Sequence, residues 1–312
     1  MRVLITGVRG LLGTELFWQL QGRVETIGWG RTRSPEGVSP SLVYESVDIT
    51  EQEKVRSSLD RWRPQVVVHT AAMTNVDACE TDPAAARKIN AEGTRTLAEG
   101  CAAVDAFLIS VSTDYVFDGS AGRRCREEDS PNPVNKYGRS KLEAEQCALT
   151  AARRVVVLRV SGLFGPARSN FVLGAMRRLR DGQTVPVITD QVNSPSYTVD
   201  LAAGIHLLID RFAADPKSSE PGGALHGILH LANSGEANRL EVAEVVAEEV
   251  GASKDLLQRT TWKQLGRPAR RSEYTALDCS RFERLTGSRL RTWQEAVRGF
   301  IQRESTNENK EG

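Results

Sequence analysis

The sequence predicts an α/β fold: a doubly wound, Rossmann-like parallel sheet in its first half, followed by a smaller C-terminal lobe that binds substrate. Three observations carry this expectation. Short β-branched apolar runs alternate with helix-length segments through the first 160 residues. A glycine-rich turn follows the first of these runs at once. At 312 residues the chain exceeds the roughly 100–200 of a usual domain, so a second lobe is expected. Uninterrupted apolar runs mark strands covered by helices on both faces, the pattern of parallel sheets.

Taken in order, residues 3–5 form a first apolar run and 11–20 have helical spacing. Residues 24–27 and 43–47 read as strands. Thr50-Glu51-Gln52-Glu53 has capping-box form and predicts a helix starting at Thr50. Residues 66–68 read as a buried strand. Asp82-Pro83 reads as an N-cap followed by proline at the first helical position, opening a long helix to about Cys101. Strands at 107–111 and 155–158 complete the alternation. The second half is less regular, with helices expected over 168–181, 199–211 and 238–250. Strands are expected at 185–188 and 228–231, and a loop over 216–223. Residues 1–165 are expected to form the nucleotide-binding domain and 166–312 the lobe, its C-terminal segment packing back on the sheet. The polar tail from Glu304 to Gly312 should fray.

Charge and composition narrow the function classes. Lys and Arg number 41 against 40 Asp and Glu, a net +1, which argues against a basic nucleic-acid coat. No apolar run reaches the ~18–20 residues of a membrane span. Glycines and an arginine break the N-terminal apolar stretch, so no secretory signal is expected. Five widely spaced cysteines without a CxxC motif predict reduced thiols in a cytoplasmic protein, and no zinc site.

The glycine turn reads Thr6-Gly7-Val8-Arg9-Gly10-Leu11-Leu12-Gly13, between a strand and a helix. Three glycines there permit a tight turn, close approach to a pyrophosphate and close helix–strand packing. The helix N-terminus adds free N–H groups and partial positive charge. Gly7, Arg9, Gly10, Leu11, Leu12 and Gly13 are therefore the expected dinucleotide contacts. No acid follows the second strand to hold a ribose 2′-hydroxyl. Arg31 and Arg33 stand there instead and match a 2′-phosphate, which favours NADP(H) and leaves NAD(H) open.

Tyr137 and Lys141 are four apart at the start of a predicted helix and share one face. Five tyrosines and eight lysines would give this spacing only about 0.13 times by chance. A cation beside a phenol should lower its pKa and suit it to proton exchange with a carbonyl oxygen. The 107–111 strand runs into Ser112-Thr113-Asp114-Tyr115, at a strand's carboxyl end where ligands bind in such sheets. Thr113 is the third catalytic candidate, with Ser112 its competitor.

Together these residues resemble the extended short-chain dehydrogenase/reductases, and more narrowly the dTDP-4-dehydrorhamnose reductase family. The resemblance spans nearly the whole chain. It is carried most specifically by residues 112–117, 135–141, 188–191 with Ser194-Pro195, and 268–271. It implies a Thr113–Tyr137–Lys141 triad, with Asp48 and Ile49 flanking the adenine and Ala71, Ala72 and Met73 lining the nicotinamide side. Thr74, Asp114, Tyr115, Asn170 and Gln191 would face the sugar nucleotide. The implied activity is NADPH-dependent reduction of a nucleotide-linked 4-keto-6-deoxy sugar, with dTDP-4-dehydro-L-rhamnose yielding dTDP-L-rhamnose as the leading substrate. Family members commonly carry a tryptophan in the segment where Gly162 stands. The magnesium ion of some members is not carried over, so no metal is expected.

Two further readings stay open. A sugar-nucleotide epimerase or dehydratase uses the same triad. The NADP-binding regulatory β subunit of methionine adenosyltransferase is also similar, at Arg31/Arg33, Asp118-Gly119 and residues 277–280. A homodimer is left open. Arg267, Arg270 and Arg271 could hold a substrate diphosphate or form a solvated loop. His69 reads as a packed histidine, His226 and His230 as strand residues rather than a metal pair, and Asp77 and Glu80 have no evident partner.

Overall fold

The structure, a computed structural model, describes residues 1–32 and 43–311, excepting the side chains of the last five. The expectation at Arg33 lies outside the described residues. In chain order the first half runs β1 (Arg2–Thr6), α1 (Leu11–Leu20), β2 (Glu25–Gly30), β3 (Val43–Ser46), α2 (Gln52–Trp62), β4 (Val66–His69), α3 (Val76–Thr81), α4 (Pro83–Arg87), α5 (Gly93–Ala103), β5 (Phe107–Thr113), α6 (Lys136–Ala151) and β6 (Val155–Val160). The main elements that follow are α7 (Phe171–Arg180), α8 (Thr198–Ala214), β7 (Gly227–His230), α9 (Arg239–Val250), α10 (Ser280–Thr286) and α11 (Trp293–Glu311).

The seven strands form one sheet in the order β7-β6-β5-β4-β1-β2-β3, every neighbouring pair parallel. The chain builds outward from β1 to β3, then restarts on the other side at β4. That reversal leaves a crevice at the carboxyl ends of β1 and β4, where Thr6 pairs with His69.

The strand periodicity divides the sheet's side chains between two layers. Val3, Ile5, Val66, Val68, Phe107 and Ile109 pack with Leu12 and Leu16 of α1 and Leu201 and Leu208 of α8. Their neighbours Leu4, Val67 and Leu108 turn to the other face, against Val55, Leu59, Leu97 and Ala148 of α2, α5 and α6. A third core joins Met176 of α7, Val187, Val242 and Val246 of α9, and Trp293 and Phe300 of α11.

Several expectations need correcting. The Thr50 capping box does not form. Thr50 gives its N–H and its hydroxyl to Asp48 Oδ1, both at 2.9 Å, and α2 starts two residues later without a side-chain cap. The helix opened by Asp82 is broken by a π-helical turn over Lys88–Glu92. Within the C-terminal segment α10 packs in the sheet's core through Phe282, and only the last helix, α11, packs in the third core instead. That helix runs on past Glu304 to Glu311. Ser305 and Thr306 turn their hydroxyls back onto the Ile301 and Gln302 carbonyls, each at 2.9 Å.

Candidate active site

A cavity of about 1160 Å³ opens at the carboxyl ends of the strands. Its wall takes in Gly7, Arg9, Gly10, Leu11 and Leu12, then Arg31, Asp48 and Ile49, and the segment from Ala71 through Ala72 and Met73 to Thr74. It also includes Thr113, Asp114, Tyr115, Tyr137, Lys141 and Asn170. Gly13 lies off this wall and serves packing: a Cβ there would stand 2.3 Å from the Gly7 carbonyl. Gly7 has φ +67°, and a Cβ on it would meet the Ala71 backbone nitrogen at 2.8 Å. The first turn of α1 has no side-chain cap and no acid, so its N–H donors face no competing carboxylate. These features fit a dinucleotide diphosphate.

At the far end of β2, Arg9 donates to the Thr32 hydroxyl at 2.6 Å and Arg31 is exposed beside Asp48. Burial alone would raise the Asp48 carboxyl. The two Thr50 hydrogen bonds and the charges of Arg31 and Lys88 outweigh it and hold the group below its usual range.

The start of α6 is pinned from three sides. Asn135 caps it by accepting from the Gly138 N–H at 2.8 Å and donates to the Arg270 carbonyl at 2.8 Å. Glu80 accepts from the Lys136 N–H at 2.9 Å, which gives that carboxylate its partner. A Cβ on Gly138 would lie 2.2 Å from the Tyr115 carbonyl oxygen, so only glycine lets α6 approach this closely. The result is an enclosed triad. Tyr137 is 8% and Lys141 4% exposed, and the Tyr137 ring meets Tyr115 edge-on at 5.5 Å.

The pKa expectation for Tyr137 is overturned. Burial pushes its phenol well above the ordinary value, and the neighbouring Thr113 hydroxyl offsets this only in part. Lys141 is itself pulled down to about 8 by burial, against the opposing charge of Glu145. Its ammonium donates to the Val111 carbonyl at 2.7 Å. Sharing a helix face brought the two groups into one enclosure, and enclosure disfavours charge on both. Ser112 belongs to a buried network, while the Thr113 hydroxyl lies within hydrogen-bond reach of Tyr137 and of the Asp114 carboxyl. Ser112 donates to Glu145 at 2.5 Å, and Glu145 accepts a two-pronged pair from Arg159 at 2.9 and 2.7 Å.

A smaller cleft gathers Asp114, Tyr115, Gln191, Arg271 and Thr275. Burial raises the Asp114 carboxyl, which accepts from Thr275 at 2.6 Å and Thr113 at 3.1 Å. Among the described residues the buried Gln191 amide nitrogen has no hydrogen-bond partner. Arg271 and Arg267 both pair with Asp77, at 3.0 and 3.2 Å, which identifies the partner of that acid. The Asn170 amide is committed locally: it caps α7 through the Leu173 N–H at 3.1 Å and donates to the Gly165 carbonyl at 2.6 Å. Gly162 has φ +55°, and a Cβ there would lie 3.0 Å from Asn193 Oδ1.

His69 is packed, as expected, between the Thr6 and Thr94 hydroxyls at 2.7 and 3.0 Å, and burial holds its pKa near 3. His230 is buried against the Phe117 ring. Among the described residues no group of three or more His, Cys, Asp or Glu side chains could hold a metal ion, and no helix is long and apolar enough to cross a membrane. Sequence reasoning missed Asn90. Within the π turn its side chain accepts from the Met73 N–H at 2.8 Å and donates to the Met73 carbonyl and the Ser140 hydroxyl. The available signal was an amide in the middle of an otherwise ordinary helical segment.

The family described as the RmlD substrate binding domain matches residues 1–306. A dTDP-4-dehydrorhamnose reductase of Streptomyces griseus is 37% identical over 300 residues, 95% of this chain and 91% of that protein. The crystal structure of a dTDP-4-dehydrorhamnose reductase from Clostridium acetobutylicum superposes with a TM-score of 0.83 at 31% identity, covering 98% of this chain and all of that one. A Bacillus anthracis reductase solved in complex with NADP gives a TM-score of 0.79 at 28% identity, covering 97% and 99%.

Proposed function

This chain belongs to the dTDP-4-dehydrorhamnose reductase family, and from that premise we propose that it reduces the 4-keto group of a nucleotide-linked 6-deoxy sugar with NADPH. The substrate we infer is dTDP-4-dehydro-L-rhamnose and the product dTDP-L-rhamnose. One observation carries the reading: Tyr137, Lys141 and Thr113 share the wall of the same cavity as the glycine turn. Residues 1–165 would hold the cofactor and 166–312 most of the substrate.

NADP(H) is favoured over NAD(H) by Arg31 at the end of β2 and by Arg9, which reaches Thr32 from the glycine turn, while the segment 27–33 carries no acid. A nicotinamide dinucleotide along Gly7–Leu12 would supply the hydride. Everything else falls to the chain's own residues. With its pKa raised by burial, Tyr137 holds its proton at neutral pH and can give it to the keto oxygen. Thr113, whose hydroxyl neighbours the Tyr137 phenol, would hold that oxygen in line. Lys141, with a pKa of about 8, still carries its charge at pH 7 and would stabilise the phenolate left by proton transfer.

The test is to incubate the chain with NADPH and dTDP-4-dehydrorhamnose, following loss of nicotinamide absorbance and the sugar formed. Equal consumption and product are expected. NADPH binding without turnover would favour a regulatory subunit, and product without net cofactor loss an epimerase.

A further inference from the structure

Arg239 opens α9 and lies on the wall of the large cavity. Among the described residues it makes no ion pair and no hydrogen bond; its partner is the Phe171 ring, 4.7 Å below the guanidinium carbon. Its surroundings are electrostatically hostile. Burial disfavours its charge most, Tyr115 offsets this only in part, and Arg271 and Arg267 add like-charge repulsion. The N-terminus of a helix, which α9 presents here, favours anions and not cations.

Among the described residues no acid pairs with Arg239, and the Asp114 carboxyl on the same wall is raised by burial. Asp77 is shared between Arg267 and Arg271. Glu241, in the first turn of α9, bends back to the Asn238 N–H at 2.7 Å to complete a capping box. Arg271 and Arg267 thus lie within electrostatic reach of Arg239, and the Asp77 carboxylate is shared by those two. A desolvated, uncompensated cation costs stability unless a ligand supplies the missing charge. Stacking on Phe171 fixes the guanidinium plane and leaves its edge donors free, the arrangement suited to phosphate oxygens.

From this convergence the structure assigns Arg239 to the diphosphate of the nucleotide-linked substrate, with Arg271 beside it. The assignment rests on the nucleotide-sugar reading above. The cofactor's own diphosphate is served by different elements, the glycine turn and α1.

Calorimetric titration of thymidine, dTDP and NADPH into wild-type, Arg239→Met and Arg239→Lys chains tests this, the two variants guarding against a folding defect in either. The wild type should bind dTDP about 10- to 100-fold more tightly than thymidine, the range of a charge-assisted phosphate contact. Arg239→Met should abolish most of that gain, and Arg239→Lys should restore part of it. Thymidine and NADPH affinities should stay unchanged. Wild-type affinity for dTDP in Arg239→Met would overturn the assignment while leaving the reductase reading intact. Lost NADPH affinity would also overturn it, placing the guanidinium on the cofactor. A wild type that binds dTDP no better than thymidine would remove the diphosphate site and the nucleotide-sugar reading together.

Discussion

The Asn90 amide donates to the Ser140 hydroxyl at 2.9 Å, across fifty residues of chain, and the Ser140 hydroxyl in turn donates to the Tyr137 carbonyl at 2.8 Å. Because Asn90 also holds both backbone groups of Met73, one side chain fixes the cavity loop and the helix that carries Tyr137 relative to each other. The π turn over Lys88–Glu92 contains this residue, a common use of such turns near functional sites.

Asn90→Ala should therefore lower kcat/KM by about 10- to 100-fold through misplacement of Tyr137 against its ligand. Orphaning the Met73 groups should cost about 1–3 kcal/mol of stability. Steady-state kinetics with urea denaturation checks both, and unchanged kcat/KM would remove the clamp from the account.

Tyr137→Phe should reduce kcat by about 10²- to 10⁴-fold, the usual worth of a positioned acid, with NADPH affinity preserved. Fluorescence titration beside the rate assay separates the two effects. Full activity in this variant would mean another group donates the proton.

Glu145 links Lys141 to Arg159. Its carboxylate holds the Lys141 pKa up, so Glu145→Gln should move the alkaline limb of kcat/KM from about pH 8 to lower pH. The pair is 3% exposed on both sides, and Arg159→Met alone should cost about 3–5 kcal/mol by leaving a buried carboxylate unpaired. Glu145→Gln combined with Arg159→Met should recover much of that loss. A pH profile unmoved in Glu145→Gln would contradict the coupling.

Acid sensitivity follows from His69 and His230, both held near pKa 3 by burial. Above the unfolded value of about 6.5 each is neutral in both states and contributes no slope. Below it the unfolded chain binds protons that the folded chain refuses, so stability falls by about 1.4 kcal/mol per pH unit for each histidine. Urea midpoints between pH 6.5 and 5 read this slope, which should shrink in His69→Gln; a profile unchanged by that substitution would show that His69 already exchanges protons when folded.

Much of the fold was legible because buried parallel strands leave an unmistakable mark. The run Val66-Val67-Val68 is apolar on both faces since Val67 meets one helix layer and its neighbours the other. That Thr113, Tyr137 and Lys141 come together on one cavity wall was legible from spacing and placement. Tyr137's pKa was not, because burial depends on how closely Gly138 lets α6 approach Tyr115. Thr50 misled because Asp48, two residues earlier, competes for the hydroxyl a capping box needs. Asn90 and Arg239 stayed hidden because their importance lies in which long-range partners they find or lack.

Transfer of the hydride itself is the most direct test. NADPH carrying deuterium at the transferable C4 position should deliver it to C4 of the sugar, one label per product, detected by mass spectrometry and NMR of the isolated nucleotide sugar. Product without the label, or labelled cofactor recovered intact while the sugar changes, would contradict the assignment of this site as a ketoreductase.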